Sequence, residues 1–155
     1  MTISKTEEQG RTYVLRETRR VQRPIEEVFA YAADFSNSAE WDPGVETADQ
    51  VGSGEPGVGT RYELMGHFGP TKFPMTYEVT EWNPPGRVVL EGEGDAFAAH
   101  DTMEFEDLGD GSTEITYVAR ITITGPAKYL GPLLNIPMRR MGRRAVDGLA
   151  DKLSR

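Results

Sequence analysis

Apolar and polar residues alternate along most of this chain, which is the pattern of half-buried β-strands. The first such segment covers residues 13–21, and six more lie at residues 46–51, 60–67, 75–82, 88–92, 97–106 and 113–124. Short turns rich in glycine, proline and aspartate separate the last six. Connections this short join antiparallel neighbours, because a parallel pair needs a crossover of about a dozen residues. The pattern therefore predicts an antiparallel sheet of seven strands.

A helical period replaces the alternation between the first two predicted strands. Apolar residues follow the i, i+3, i+4, i+7 spacing from Ile25, just after a proline suited to the first position of a helix. Asn37 and Glu40 have the spacing of a capping box, which predicts a second helix of one turn, and Pro43 must end it. Asp34 and Asp42 are interpreted as structural residues at the ends of these two helices. We expect Phe35 and Trp41 to close one end of any cavity under the sheet.

The last segment, residues 127–153, is predicted to be one long amphipathic helix. An apolar residue recurs every three or four positions, at Leu130, Leu134, Met138, Met141, Ala145, Leu149 and Leu153. Pro137 cannot donate a backbone hydrogen bond, so we expect a kink there or a break between a short lead-in and the main helix. Together the elements predict an α+β helix-grip fold, in which a curved seven-stranded antiparallel sheet wraps the C-terminal helix and leaves a cavity between them.

Strand alternation predicts which side chains face that cavity, because charged residues on one face of a strand assign the other face to the interior. The predicted inner face is aliphatic and aromatic, with three phenols and one carboxylate, which is the composition of a pocket for a small hydrophobic molecule. The predicted ligand-binding residues are Trp41, Tyr62, Leu64, Phe68, Tyr77, Val79, Leu90, Phe97, Met103, Phe105, Tyr117, Ala119, Leu134, Met138 and Met141.

Asp101 is the candidate acid or base of the predicted cavity. A carboxyl group in an apolar cavity is desolvated, which raises its pKa towards the range useful for proton transfer. A β-bulge near Ala98 and Ala99 would shift the alternation by one residue and turn His100 inward instead. We therefore keep both Asp101 and His100 as catalytic candidates. With two histidines, no cysteine and no HExxH spacing, we predict neither a metal nor a cofactor.

Composition and charge narrow the possible partners. The chain has 155 residues, no cysteine and a formal net charge of −8, so its overall field argues against nucleic-acid binding. Neither a membrane span nor a signal peptide is evident, and we expect a cytoplasmic protein with one domain over residues 12–155 after a disordered stretch, residues 1–11. Four arginines are the exception to the acidic character: Arg139, Arg140, Arg143 and Arg144. They form either a solvated helix face or a contact with an anionic partner, which would be a lipid headgroup at the cavity mouth or a membrane surface.

Four stretches carry a resemblance to a known family. They read RPIEEVFAYAADFSNSAEWDPGV, GVGTRYEL, YEVTEWNPPGRVVLEGEG and GSTEITYVARITITG. They resemble the successive signatures of the START-like superfamily called SRPBCC, and among its branches the polyketide cyclase/dehydrase-like group. The resemblance extends over residues 13–153 and implies the helix-grip fold. That superfamily includes lipid carriers, hormone receptors, aromatases and cyclases.

Three functions remain open at this point. The first is binding or carriage of a small hydrophobic or aromatic molecule, such as a lipid or a polyketide-like compound. The second is a cofactor-independent cyclase or dehydratase that uses an acid/base in the cavity. The third is a protein-interaction domain whose interior is filled.

Overall fold

The structure, a computed structural model, describes residues 11–95, 97–126, 133 and 135–155. Its strands are β1 (Arg11–Val21), β2 (Val45–Gln50), β3 (Arg61–Phe68), β4 (Thr71–Asn83), β5 (Arg87–Glu93), β6 (Phe97–Asp107) and β7 (Thr113–Ile123). Its helices are α1 (Ile25–Ala32), α2 (Ser38–Trp41) and α3 (Asn135–Leu153), with a 3-10 turn (Phe35–Asn37) between α1 and α2.

One antiparallel sheet contains all seven strands in the order β1-β7-β6-β5-β4-β3-β2. Successive strands from β2 to β7 are neighbours, as their short connections require. β1 pairs with β7 over its full length, from Arg11 opposite Ile123 to Val21 opposite Thr113. α3 packs against β1 and α2. This is the predicted α+β helix-grip fold, with two short helices between β1 and β2.

The inner face of the sheet follows the predicted alternation. Along β3, for example, Tyr62 and Leu64 are buried while Arg61 and Glu63 are exposed. The pairing of β6 with both neighbours is regular around Ala98 and Ala99. The bulge considered there is absent, so Asp101 lies on the inner face and His100 on the outer face.

A bulge does occur in β4, where the pairing with β5 shifts between Val79 and Glu81. The extra residue reverses the alternation beyond this point. Trp82 consequently packs on Phe29 of α1, with the ring centroids 5.0 Å apart in an edge-to-face arrangement. The far end of the inner face is thus covered by α1.

The predicted capping box at Asn37 and Glu40 is wrong. The Asn37 side chain makes no cap and instead donates to the backbone oxygen of Tyr31 at 3.1 Å. Asp34 provides the local cap, since its Oδ1 accepts from the backbone N–H of Ser36 at 3.0 Å and from the Ser36 hydroxyl at 2.6 Å. The short side chain of Asp34 satisfies donors that the tight 3-10 turn leaves free.

α3 is continuous from Asn135 to Leu153, and Pro137 is in its first turn. A proline is tolerated there because first-turn N–H groups have no partner within the helix. The predicted lead-in to this helix falls at residues 127–132 and 134, which are outside the described residues, as is most of the predicted disordered stretch, residues 1–10. No helix in the described ranges is long and apolar enough to cross a bilayer.

Candidate functional site

A cavity of about 100 Å³ lies between the inner face of the sheet, α2 and α3. Its wall is mostly apolar and aromatic, with carboxyl groups and phenols among the lining residues. The predicted site residues that line it are Trp41, Leu64, Tyr77, Phe97, Asp101, Tyr117, Ala119 and Met141. The structure therefore brings the predicted carboxyl group, Asp101, and two of the three predicted phenols into one cavity wall.

Several other predicted ligand-binding residues are buried but do not line this cavity: Tyr62, Val79, Leu90, Met103, Phe105 and Met138. They belong to the packed core instead. Phe105, for example, packs edge-to-face on Phe29 of α1 at a centroid distance of 5.6 Å, and Tyr62 packs near Phe35 at 6.3 Å. Alternation predicts the face of a strand correctly but not which part of that face the short helices cover.

Phe68 and Leu134 are the two remaining residues predicted to bind the ligand. Phe68 was predicted to face the cavity, yet it is 40% exposed at the last position of β3 and does not line the cavity. Phe68 instead lines a separate, more open depression together with residues of α3, so the alternation at this strand end does not imply burial. Leu134 lies outside the described residues.

Two glycines make room for aromatic rings of the cavity wall. Gly66 on β3 faces Phe73 on β4, and Gly92 on β5 faces Tyr77 on β4. A Cβ at Gly66 would lie 2.4 Å from the Phe73 ring, and one at Gly92 would lie 2.7 Å from the Tyr77 ring. Such distances are far below normal carbon contacts, so each ring occupies the space that a side chain on the facing strand would take.

Phe73 lines the cavity but is missing from the predicted site residues. Its strand begins at Thr71, whereas the sequence pattern placed the start at residue 75. Extending the alternation of Met75 and Tyr77 back by two residues would have found it.

Asp101 is the buried carboxyl group at the centre of the site. It is 4% exposed and lies in β6 between Leu90 of β5 and Ala119 of β7. The Tyr117 hydroxyl donates to its Oδ2 at 2.6 Å, and its Oδ1 has no hydrogen-bond partner among the residues described. Burial raises the pKa of Asp101 to about 7, with a smaller rise from the charge of Asp42, while the hydrogen bond from Tyr117 acts in the opposite direction.

Asp42 is a second carboxyl group of the cavity, where the sequence analysis expected only a turn residue. It does form the turn, because its Oδ1 accepts from the Gly44 N–H at 2.8 Å. It also lines the cavity, and burial raises its pKa to about 6, although the Gly44 N–H and the charge of His67 both lower it. The purely structural interpretation of Asp42 is thus incomplete, since an Asp-Pro-Gly sequence signals the turn and nothing about the cavity.

The aromatic side chains around Asp101 provide hydrogen-bond donors. Burial, followed by the charge of Asp101, raises the pKa of both Tyr77 and Tyr117 well above the usual value, so both hydroxyls keep their protons. Trp41 packs edge-to-face on Tyr117 with centroids 6.2 Å apart, and its buried Nε1 has no hydrogen-bond partner within the described ranges. The site therefore contains both an unpaired donor and an unpaired carboxyl oxygen.

His100 is not part of this site, so its candidacy as the cavity acid/base is wrong. It is exposed on the outer face, with Nδ1 3.3 Å from Oε1 of Glu91 on the adjacent strand. His67 is nearer the cavity, and its Nε2 lies 2.7 Å from the Pro43 backbone oxygen. No group of three histidine, aspartate or glutamate side chains suited to a metal occurs in the part of the chain that the structure describes.

The model of the family described as polyketide cyclase/dehydrase and lipid transport matches residues 13–154. The chain belongs to this family. No curated protein matches it by sequence.

Solved structures similar to this family member share its architecture over nearly their whole length. A protein from Thermus thermophilus is 22% identical with a TM-score of 0.77, covering 91% of this chain and 97% of its own. A START superfamily protein from Mycobacterium smegmatis is 15% identical with a TM-score of 0.73, covering 90% and 96%. The Zhui aromatase/cyclase from Streptomyces sp. R1128 is 13% identical with a TM-score of 0.73, covering 92% and 94%. At these identities the likeness establishes the fold, and function must be argued from the site.

Proposed function

We propose that this family member binds a small hydrophobic molecule whose apolar part occupies the cavity and whose hydrogen-bonding group lies beside Asp101. The cavity of about 100 Å³ is of the same order as the roughly 150 Å³ engineered apolar cavity that accommodates benzene. Its apolar and aromatic wall with few polar groups is typical of small-molecule sites. A ligand part of about one ring matches this volume, and a longer molecule must extend beyond the cavity.

The observation that supports this proposal most directly is the unpaired Oδ1 of Asp101. Leaving a buried polar group without a partner costs roughly 1–3 kcal/mol, so such a group calls for an explanation, and a ligand that hydrogen-bonds to it is the one proposed here. Because burial raises the pKa of Asp101 to about 7, both the protonated and the ionised form of its carboxyl group are accessible near neutral pH. Asp101 can therefore accept a hydrogen bond from a ligand hydroxyl or donate one to a ligand carbonyl.

The binding proposal is tested with phenol and 2-naphthol against benzene and naphthalene, which have the same rings without the hydroxyl. We expect isothermal titration calorimetry to show binding of all rings that fit, with tighter binding of the phenols. Asp101→Asn should reduce the advantage of the phenols, and Ala119→Leu should weaken binding of every compound by filling the cavity. Val118→Leu, one residue along β7 and outside the set of cavity-lining residues, is the matched control. Unchanged binding in Ala119→Leu would contradict the proposal.

Native mass spectrometry of freshly purified protein provides an independent test. A co-purifying apolar molecule, lost in Ala119→Leu and retained in Val118→Leu, is the expected result. The same molecule retained equally in both variants would place it outside the cavity. The cavity itself disfavours the alternative of an interaction domain, which requires a filled interior.

Proton transfer is a second candidate function, and the pKa of about 7 at Asp101 favours it. A carboxylate with this pKa can remove a proton from carbon between two ketone groups and return it to an enolate, with the Tyr117 hydroxyl stabilising its ionised form. The probe is deuterium exchange at the carbon between the two carbonyls of 1-phenylbutane-1,3-dione, followed by NMR. Asp101→Asn should abolish any protein-dependent exchange while binding of the diketone persists. Equal exchange rates in wild type and in Asp101→Asn would show that Asp101 does not catalyse the proton transfer.

A further inference from the structure

A second depression adjoins the cavity on the side of α3 and is here called the vestibule. It has a volume of about 230 Å³ and shares Gly44 and Met141 with the cavity lining. The side chains that give it its character are His67, Phe68, Arg140 and Arg144. Gly44 and Met141 lie between the two compartments, and a Cβ at Gly44 would be 3.8 Å from Met141 Cγ. A molecule too long for the cavity alone therefore reaches the vestibule by displacing the flexible Met141 side chain.

Arg139, Arg140, Arg143 and Arg144 of α3 fall into two pairs. Arg140 and Arg144, one helical turn apart, line the vestibule, while Arg139 and Arg143 do not. All four are exposed. The two vestibule guanidiniums make no ion pair with a carboxylate of the described residues, although other arginines of this acidic chain, such as Arg61 and Arg87, do. The vestibule arginines are therefore available to an anion from outside the protein.

The cavity has the opposite electrostatic character. Asp42, Asp101 and Glu17 line it, and none of the described lining residues is a lysine, arginine or histidine. Placing a second anion in this desolvated, acidic space is unfavourable. An anionic group at the vestibule instead meets two cations with forked donors suited to a carboxylate. The charge difference between the two compartments favours one orientation of an amphipathic molecule.

We infer that the natural ligand is an amphipathic organic acid, with its apolar part in the cavity and its carboxylate or other anionic group held by Arg140 and Arg144 in the vestibule. This rests on the proposed binding function. Phe68 gives the vestibule an apolar surface against which the alkyl chain near the anionic group can lie. Its 40% exposure, which contradicts a role in the cavity wall, fits this position.

The test uses 3-phenylpropanoate, 5-phenylpentanoate and 7-phenylheptanoate, each compared with the alcohol of the same chain length. With the ring in the cavity, we expect the longer acids to bind about tenfold more tightly than their alcohols, a difference of roughly 1.4 kcal/mol. The advantage should decrease as salt is raised, because the arginines are exposed. The advantage of acid over alcohol should be smallest for 3-phenylpropanoate, because its chain is the shortest and brings the carboxylate least far towards Arg140 and Arg144.

Matched double variants assign the effect to the vestibule. Arg140→Gln/Arg144→Gln should remove the preference for acid over alcohol by weakening binding of the acids far more than binding of the alcohols. Arg139→Gln/Arg143→Gln makes the same change of net charge on the same helix and should retain the preference. Equal loss in both double variants would overturn the inference, because it would reflect only the general field of α3.

The outcomes also distinguish this inference from the proposed function. If the alcohols fail to bind, or bind equally to Ala119→Leu, the proposed function fails. If the alcohols bind in the cavity but the acids gain nothing, only the vestibule inference fails. Co-sedimentation with phosphatidylglycerol vesicles that depends equally on both arginine pairs, with no preference for soluble acids, would assign these arginines to a membrane surface and would overturn the inference.

Discussion

Gly148 of α3 lies directly against the backbone carbonyl of Trp41 at the end of α2. A Cβ at Gly148 would be 1.9 Å from the Trp41 oxygen, which is shorter than any normal non-bonded contact. The absence of a side chain therefore allows the long helix to approach the short one closely. Because Trp41 lines the cavity, this contact also determines where one wall of the site stands.

Gly148→Ala should destabilise the protein although alanine is the better helix former by about 1 kcal/mol. The new methyl group meets fixed backbone, so α2 and α3 must separate, and overpacking of this kind costs typically 1–3 kcal/mol. Urea unfolding followed by circular dichroism measures the change. Gly142→Ala is the matched control on the same helix, since the nearest atoms to its Cβ would belong to the Leu15 side chain, at 3.2 Å or more, and not to fixed backbone; we expect a smaller loss of stability there. Equal stability of the two variants would show that the close approach is not required.

Asp101 should make the protein less stable as the pH rises. Its pKa in the folded state, about 7, lies above the ordinary value of 3.8, so the folded state binds more protons between these values. The favourable contribution is complete below about pH 4 and is lost as the pH rises through 7, with a scale on the order of 4 kcal/mol. Asp101→Asn should therefore raise the melting temperature relative to wild type at pH 8, with the advantage shrinking towards pH 4.

Thermal unfolding between pH 4 and pH 8 measures this effect. Asp49→Asn, which removes one exposed carboxylate of β2, controls for the change in net charge. Asp42 has a folded-state pKa of about 6, so the Asp101→Asn curve should keep part of the slope. A pH profile parallel to that of wild type would mean that Asp101 titrates normally.

Tyr117→Phe should raise the pKa of Asp101 further. The Tyr117 hydroxyl donates to Asp101 Oδ2 at 2.6 Å, which stabilises the ionised carboxylate, and removing the donor leaves burial unopposed. Carbon-13 NMR of labelled aspartate carboxyl groups follows the titration directly. Tyr62→Phe, at a phenol outside the cavity lining, should leave the midpoint unchanged. A lower midpoint in Tyr117→Phe would contradict the assigned hydrogen bond.

Gly92→Ala should displace the Tyr77 ring from the cavity wall. The added methyl group would lie 2.7 Å from that ring, and Tyr77 can escape only by moving into the cavity or out of its rotamer. We expect ligand affinity to fall by about tenfold or more, together with a stability loss of roughly 1–3 kcal/mol. Gly86→Ala, where a Cβ would meet only one backbone oxygen at 4.0 Å, controls for the loss of a glycine. Calorimetry with 2-naphthol reports the affinity.

The sequence predicted the fold because its information is local and repeated. Alternation, turn residues and the helical period each act over a few positions, and together they define the seven strands and the helices. The same alternation put Asp101 on the inner face, but only the regular pairing around Ala98 and Ala99 excluded His100. A bulge depends on how two strands pair, which one strand's sequence does not reveal.

The extent of the cavity was harder to predict. Phe105 and Trp41 both belong to the inner side of the fold, yet α1 covers the first and the cavity borders the second. Coverage depends on the tertiary position of short helices, which residue spacing does not fix. The sequence did not predict that Asp42 lines the cavity, for a related reason. Its carboxyl group is buried by segments that are distant in sequence and pack around the turn.

The pairing of β1 with β7 has a consequence for folding. Among the described strands, β1 pairs with β7 alone, at residues 113–123, so these hydrogen bonds cannot form until residue 123 has been synthesised. Closing a loop of roughly 100 residues precedes any gain from those bonds, and such non-local pairing slows folding. During synthesis at about 5–20 residues per second, β1 therefore remains without its sheet partner for several seconds. A chain that ends before β7 lacks the strand that joins β1 to β6, so we expect it not to complete the sheet.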